Sequence, residues 1–386
     1  MEQGLFIHSW DIDGDVDRLV EQFAELNCNT MAVNAVYHHA GVADLRLGHM
    51  HYRKGAGTAF SVNPSDYGRI CPRAQGNLEE KFARLSESCR ENHMGLKAWV
   101  VNAHNSTSGK EYPHATVVNA WGDSYENCFC INHPDFREYD RNLIADIERV
   151  VNPDAYVMEA MQWMPSFHGS HHEFMLGRLT PAVRYLLSLC FCGTCREKAE
   201  KEGIDAEAAE YQVRGLLSKL LKQDTTYGTN EETQLTHIWM EYPKIYEYQQ
   251  FRMRSVASLT EETAQQVHGF GKTYEYIPSS TPFDINTMYY EAAPLGRLEG
   301  IVDGFVPLIY NTESSYEKVL RNIRLFNETT PVGMALNLGR ARYSNQEDFL
   351  WRIREAGNLN CPEVLCYNYG MATEEMLQWM KKAYQA

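Results

Sequence analysis

The chain has 386 residues, 44% of them hydrophobic and 23% charged, a composition that excludes a disordered protein and suffices for a large buried core. Its formal net charge of −15 argues against a nucleic-acid binder and against an anionic membrane surface, leaving small neutral or cationic molecules as the better-matched ligands. No apolar run approaches the ~20 residues that cross a bilayer. Met1–Trp10 shows neither the basic nor the apolar region of an export leader. With 10 cysteines, a reducing cytoplasm is the expected compartment.

Short apolar runs alternate with amphipathic stretches along the whole chain, the pattern of parallel strands joined by crossover helices. Eight strands are predicted: Leu5–Trp10, Thr30–Tyr37, Gly95–Ala103, Ala155–Glu159, Lys272–Ile277, Val302–Tyr310, Pro331–Leu338 and Glu363–Tyr369. Helices are predicted over Asp13–Leu26, Asn77–Asn92, Pro134–Val151, Tyr246–His268, Ser315–Phe326, Gln346–Ala356 and Thr373–Tyr384. Eight such units make a (β/α)8 TIM barrel of the α/β class. Two insertions interrupt the rhythm. One, His38–Gln75, follows strand two. The other, Ala160–Pro243, follows strand four and carries predicted helices around Pro181–Leu189 and Ala206–Lys222. No linker-like stretch divides the chain, so residues 1–386 read as one domain.

Chemistry in such a barrel belongs to the carboxyl ends of the strands. There the sequence supplies Trp10, then Asn34, Tyr37, His38 and His39, then Asn102 and His104. Strand four ends at Glu159, with Trp163 close behind. The later strands add Tyr276, Tyr310, Asn337 and Tyr367. Aromatic faces and hydrogen-bonding groups in this mixture suit a sugar ring and its hydroxyls. A carboxylate closing a buried strand, as Glu159 does, is costly unless it has a task.

Glu275 falls on the neighbouring strand. The expectation is that Glu159 and Glu275 form the carboxylate pair of a glycoside hydrolase, one protonating the leaving oxygen and the other attacking or activating water. The spacing leaves retention or inversion open. Asp11 and Asp303 are the next acids to consider. The loop residues His38, His39, His104, His168, His171 and His172 allow a second reading, a metal-dependent sugar isomerase or epimerase. A barrel that binds carbohydrate without turning it over is the third. All three take a small carbohydrate or glycoside, require no cofactor by the favoured reading, and leave homo-oligomerisation open.

Cysteines cluster at Cys190, Cys192 and Cys195 and again at Cys128 and Cys130. Five thiols in two groups could hold a structural zinc, pair as disulfides, or pack as small buried residues. Stapling the long insertion is the favoured role.

Cys190-Phe-Cys-Gly-Thr-Cys195 resembles a Cys-x-Cys-x-x-Cys segment after strand four in barrel proteins often labelled hypothetical glycosyl hydrolases. Asn132-His-Pro-Asp-Phe-Arg-Glu-Tyr139, Tyr248-Gln-Gln-Phe-Arg252 and Val302-Asp-Gly-Phe-Val-Pro-Leu-Ile-Tyr310 are similar to further segments of that family. The resemblance implies a (β/α)8 barrel, carbohydrate chemistry and the position of Glu159. Retaining barrels of one large clan carry acids on strands four and seven, whereas Val332-Gly-Met-Ala-Leu-Asn337 carries none.

Overall fold

The computed structural model describes residues 1–53, 55–166, 180–222, 231–281, 283–285, 288–311 and 313–385. Eight parallel strands form the sheet: β1 (Glu2–Ile7), β2 (Thr30–Tyr37), β3 (Gly95–Val101), β4 (Ala155–Glu159), β5 (Thr273–Tyr276), β6 (Gly304–Phe305), β7 (Met334–Asn337) and β8 (Glu363–Tyr367). They pair in the order β6-β5-β4-β3-β2-β1-β8-β7. Parallel bridges Phe305–Val332 and Leu308–Ala335 carry the ring round to β7. The expected (β/α)8 barrel is the observed fold.

Local sequence explains the units. β2 is buried at all eight positions, as a strand between helices and barrel interior must be. Helix Val16–Glu25 starts where the Asp15 side chain accepts the Arg18 amide at 3.1 Å, and it buries Val16, Leu19, Val20 and Phe23 at helical spacing. Helix Pro134–Val151 opens on proline and ends at Asn152, whose φ of 46° supplies a left-handed cap. Between β5 and β6 the described residues form 3-10 turns, Met288–Tyr290 and Leu295–Leu298, in place of an α-helix.

After β2 the chain makes an antiparallel hairpin, Ala40–Asp44 with His49–Arg53. After β4 come helices Pro181–Leu187, Gly193–Lys201, Ala206–Leu220 and Glu231–Glu241. The second and fourth of these escape a periodicity reading. Gly193–Lys201 buries only Cys195 and Ala199 among charged residues, too thin a stripe to mark a helix.

Strand alternation decides which side chains enter the barrel. On β3 these are Lys97 and Trp99. Lys97 Nζ crosses the interior to Glu275 Oε1 on β5 at 2.7 Å, to Glu2 Oε2 on β1 at 2.8 Å, and to Glu363 on β8. The cluster lies at the amino end of the barrel. Glu275 therefore does not share a pocket with Glu159, contrary to expectation. Its register partner on β4 is Val157, one inward-facing step, about 6.6 Å, below Glu159. Adjacency of strands fixed the lateral spacing correctly but not the height.

Lys97 and Glu363 are almost fully buried, and burial pushes the Glu275 and Glu363 carboxyls up while Lys97 pulls them down. Removing the lysine leaves carboxyls without their cation. Lys97→Met is expected to cost about 3–5 kcal/mol in urea unfolding. A cost below about 1 kcal/mol would show that the cluster contributes little.

Candidate active site

Glu159 occupies the last position of β4 and keeps partial exposure at the carboxyl end. Trp99 Nε1 donates to its Oε2 at 2.8 Å. Aromatic residues from other strands surround the pair. The Tyr37 ring meets Trp99 edge-on at 5.0 Å, and Tyr367 meets it edge-on at 5.8 Å. The Tyr37 and Tyr367 hydroxyls lie 3.2 Å apart, and the Tyr310 ring is 5.9 Å from that of Tyr367. Tyr37 owes its place to a register shift between Asn34 and Val36. Asn34 pairs with inward-facing Trp99, whereas Val36 pairs with outward-facing Val100, so Tyr37 turns into the barrel.

His8, at the end of β1, completes this wall. Its ring stacks on Trp10 at 4.1 Å and sits edge-on to Tyr37 at 5.3 Å. Burial holds it at about 3, helped by His38, His51 and Arg53, so the ring is neutral at physiological pH. Among the described residues neither ring nitrogen finds a hydrogen-bond partner, and the ring is fully buried.

Burial is also the main force on Glu159, pushing its carboxyl up to about 7. The Trp99 hydrogen bond opposes this and the charge of Glu291 adds to it. Glu291 is a second buried carboxylate, on the loop after β5. It accepts from the Ser280 amide at 3.0 Å, from Ser279 Oγ at 3.0 Å and from Gln162 Nε2 at 2.7 Å. The Tyr276 hydroxyl donates to Gln162 Oε1 at 3.0 Å. Three donors on one carboxylate mark a positioning group.

Several expected ligand residues serve the scaffold. Tyr276 alternates with Glu275 and so points out of the barrel interior, where its ring meets Phe305 edge-on and its hydroxyl donates to Gln162. Asn102 Nδ2 turns to Asp140 Oδ1 at 2.6 Å, on the helix behind. Trp163 is fully buried, with the Arg252 guanidinium 5.0 Å from its ring centroid. Asn34 Oδ1 accepts the Ser9 amide at 2.7 Å, and Asn337 Oδ1 accepts the Gly339 amide at 2.8 Å. Trp10 lies between His8 and His51 and donates to Asp44 at 3.1 Å.

His38 stacks on Tyr37 at 4.1 Å, and His104 lies 4.9 Å from His38. His39 Nδ1 is 2.9 Å from Ser106 Oγ. Among the described residues these histidines do not gather with a carboxylate at metal-ligand distance. His168, His171 and His172 lie outside the described residues. Asp303 caps the amino end, accepting the Tyr274 amide at 2.7 Å, and Asp11 accepts the His8 amide at 2.8 Å.

Four of the five clustered cysteines, Cys130, Cys190, Cys192 and Cys195, come together. Cys128 does not join them: its thiol donates to the Phe129 carbonyl and accepts the Met164 amide. Beside Tyr310, a groove of about 490 Å³ runs over Phe283, Asp284, Asn311, Lys318 and Arg342.

Solved structures with a similar fold include glycoside hydrolases. The PgaB (BpsB) glycoside hydrolase domain from Bordetella bronchiseptica superposes with a TM-score of 0.62 at 11% identity, over 100% of this chain and 99% of that one. The catalytic domain of a beta-amylase from Paenibacillus polymyxa gives 0.55 at 7% identity, over 99% and 98%. Alpha-L-fucosidase isoenzyme 2 from Paenibacillus thiaminolyticus gives 0.56 at 11% identity, over 99% of this chain, which spans about half (49%) of that protein. At such identities the likeness is one of fold. No family model and no curated protein sequence matches the chain.

The raised carboxyl has a stability consequence. A group whose folded pKa, about 7, exceeds its ordinary 4.5 stabilises the fold fully below 4.5 and loses that contribution as pH rises through 7. Glu159→Gln, which cannot ionise, is expected to melt above the parent at pH 8, by at most about 3 kcal/mol. At pH 4.5 the two should melt almost together. A gain that does not change with pH would contradict the shift.

Proposed function

We propose that the protein is a carbohydrate-active enzyme that cleaves glycosidic bonds with Glu159 as proton donor. One arrangement carries this reading: the Glu159 carboxyl, which burial pushes up to about 7, ends β4 inside a wall of Trp99, Tyr37, Tyr310, Tyr367 and His8. A glycosidase acid must still hold its proton at working pH, and burial against aromatic rings is how a glutamate does so. The rings offer stacking faces to a pyranose, and the tyrosine hydroxyls offer hydrogen bonds to its oxygens.

In this reading Glu159 passes its proton to the leaving oxygen as the glycosidic bond breaks, a water oxygen bonds to the anomeric carbon and gives its proton to solvent, and Trp99 Nε1 stabilises the carboxylate left behind. Glu291 acts at a distance. Its charge favours the protonated form of Glu159, and its hydrogen bonds fix Gln162.

A second reading, carbohydrate binding without turnover, is favoured by one feature. With Glu275 at the opposite end and Glu291 enclosed by three donors, no described carboxylate stands beside Glu159 to act as nucleophile or base. Turnover on a panel of glycosides separates the readings.

An acid is needed most when the leaving group is poor. Glu159→Gln is expected to lower kcat/KM about 10²–10⁴-fold on alkyl glycosides and disaccharides, but far less on nitrophenyl glycosides, whose leaving groups need no proton. Equal loss on both would remove Glu159 from the acid's role. Glu275→Gln is expected to leave turnover within about 3-fold, since its carboxyl serves the amino-end ion cluster. A loss above about 10²-fold would restore it to the chemistry.

A further inference from the structure

The four-cysteine cluster lies apart from the aromatic wall, and its geometry points to a tetrahedral zinc site that staples the long insertion to the barrel: we propose that Cys130, Cys190, Cys192 and Cys195 bind one structural zinc ion. All four Sγ atoms lie within 4.8 Å of one another and all four residues are buried. Cys130 Sγ is 3.3 Å from Cys195 Sγ and 3.5 Å from Cys192 Sγ. A tetrahedron of ~2.3 Å zinc–sulfur bonds has edges of about 3.8 Å, so the thiols already stand near the required separation. None of the four is in a disulfide. Cysteines that merely fill space have no reason to converge from two chain segments some sixty residues apart on one point.

The surroundings suit the charge that such a site carries. Four thiolates around one divalent ion leave two net negative charges. Cys192 is the residue that precedes helix Gly193–Lys201, so the positive amino end of that helix opens at the cluster. Asn132 Nδ2 donates to Cys195 Sγ at 3.5 Å, and Lys198 Nζ in turn holds Asn132 Oδ1 at 3.2 Å. An amide oriented by an ammonium group is the kind of outer partner that fixes a ligand and offsets its charge.

The ion would join parts of the chain that nothing covalent joins. Cys130 lies just before helix Pro134–Val151, and the other three open helix Gly193–Lys201 in the insertion after β4. The same stretch is held by the Tyr248 hydroxyl, which donates to the Cys190 carbonyl at 2.5 Å, and by Arg252, which donates to the Ser188 carbonyl at 3.2 Å. Arg252 also donates to the Tyr290 carbonyl at 2.8 Å, next to Glu291. The zinc thus anchors the insertion on the side from which the buried carboxylate network is built. Binding involves no redox step: four S–Zn bonds form and the thiol protons pass to solvent.

Metal analysis of the full-length protein, purified without chelator, tests the assignment. The protein is expected to carry about one zinc per chain, as is Cys128→Ser, whereas Cys192→Ser is expected to fall below about one fifth of that. Titration of the parent with a mercurial in the presence of a zinc indicator removes any dependence on the variant's folding. Zinc should appear in step with the modification of about four thiols, and the melting temperature should drop as it leaves. Cobalt exchanged into the chelator-treated protein should show the thiolate charge-transfer and intense tetrahedral bands of a four-sulfur site. Bound iron, a chain without metal, full zinc retention by Cys192→Ser, or zinc loss from Cys128→Ser would each overturn the proposal.

Discussion

Two residues of β3, Lys97 and Trp99, set the character of the barrel interior. They stand two positions apart, so both point inward, one a step above the other. Each binds glutamate carboxyls from other strands. Lys97 binds Glu275 and Glu363 at the amino end, and Trp99 binds Glu159 at the carboxyl end. The interior is therefore divided into an ionic floor and an aromatic mouth. The floor pairs its buried carboxyls with a cation. Among the described residues, the mouth gives its carboxyl an indole N–H as partner.

Burial raises carboxyls at both ends: Glu363 is pushed up to about 8 despite Lys97, and Glu159 to about 7 against the Trp99 hydrogen bond. Placement separates them, since Glu363 is tied to a lysine at the amino end and Glu159 stands at the carboxyl end, where barrel chemistry is done. The residue after it, Ala160, has a φ of 58°, in the left-handed region where a side chain is unfavourable. The turn aims the chain toward Gln162 and the Glu291 network. Burying an acid that ionises near neutral pH and bending the chain sharply after it both cost stability. Such costs collect where a fold is shaped for a task rather than for stability alone.

How much of this was legible in the sequence depended on what each residue had to satisfy. β2 and β4 announce themselves because a strand buried on both faces must be apolar throughout, and Glu159 is conspicuous because it ends such a run. Most of the strands came close to their observed limits for the same reason, with two exceptions: the first, expected over Leu5–Trp10, runs Glu2–Ile7, and of Val302–Tyr310 only Gly304–Phe305 and the bridge at Leu308 are strand-like. The height of a residue in the barrel was harder. Glu275 sits beside the right strand at the wrong level, and only the register of β4 with β5 shows it. Parity of alternation also escaped the reading of strand ends. It sends Tyr276 away from the interior, and it marks Trp99 as inward once Lys97 is known to be. Glu291 lies in a loop with no periodicity, where nothing in the sequence marks it. Of the cysteines, spacing singled out five, and only the folded chain separates Cys128 from the other four.

The central claim is that the Glu159 carboxyl holds its proton to near-neutral pH in the folded protein. Carbon-13 NMR of the glutamate side-chain carboxyls, with Glu159→Gln used to assign the resonance, measures this without any substrate. The account expects a carboxyl resonance that titrates near pH 7 and that is missing from the spectrum of the variant. A Glu159 resonance that titrates near 4.5, as an ordinary glutamate does, would contradict it.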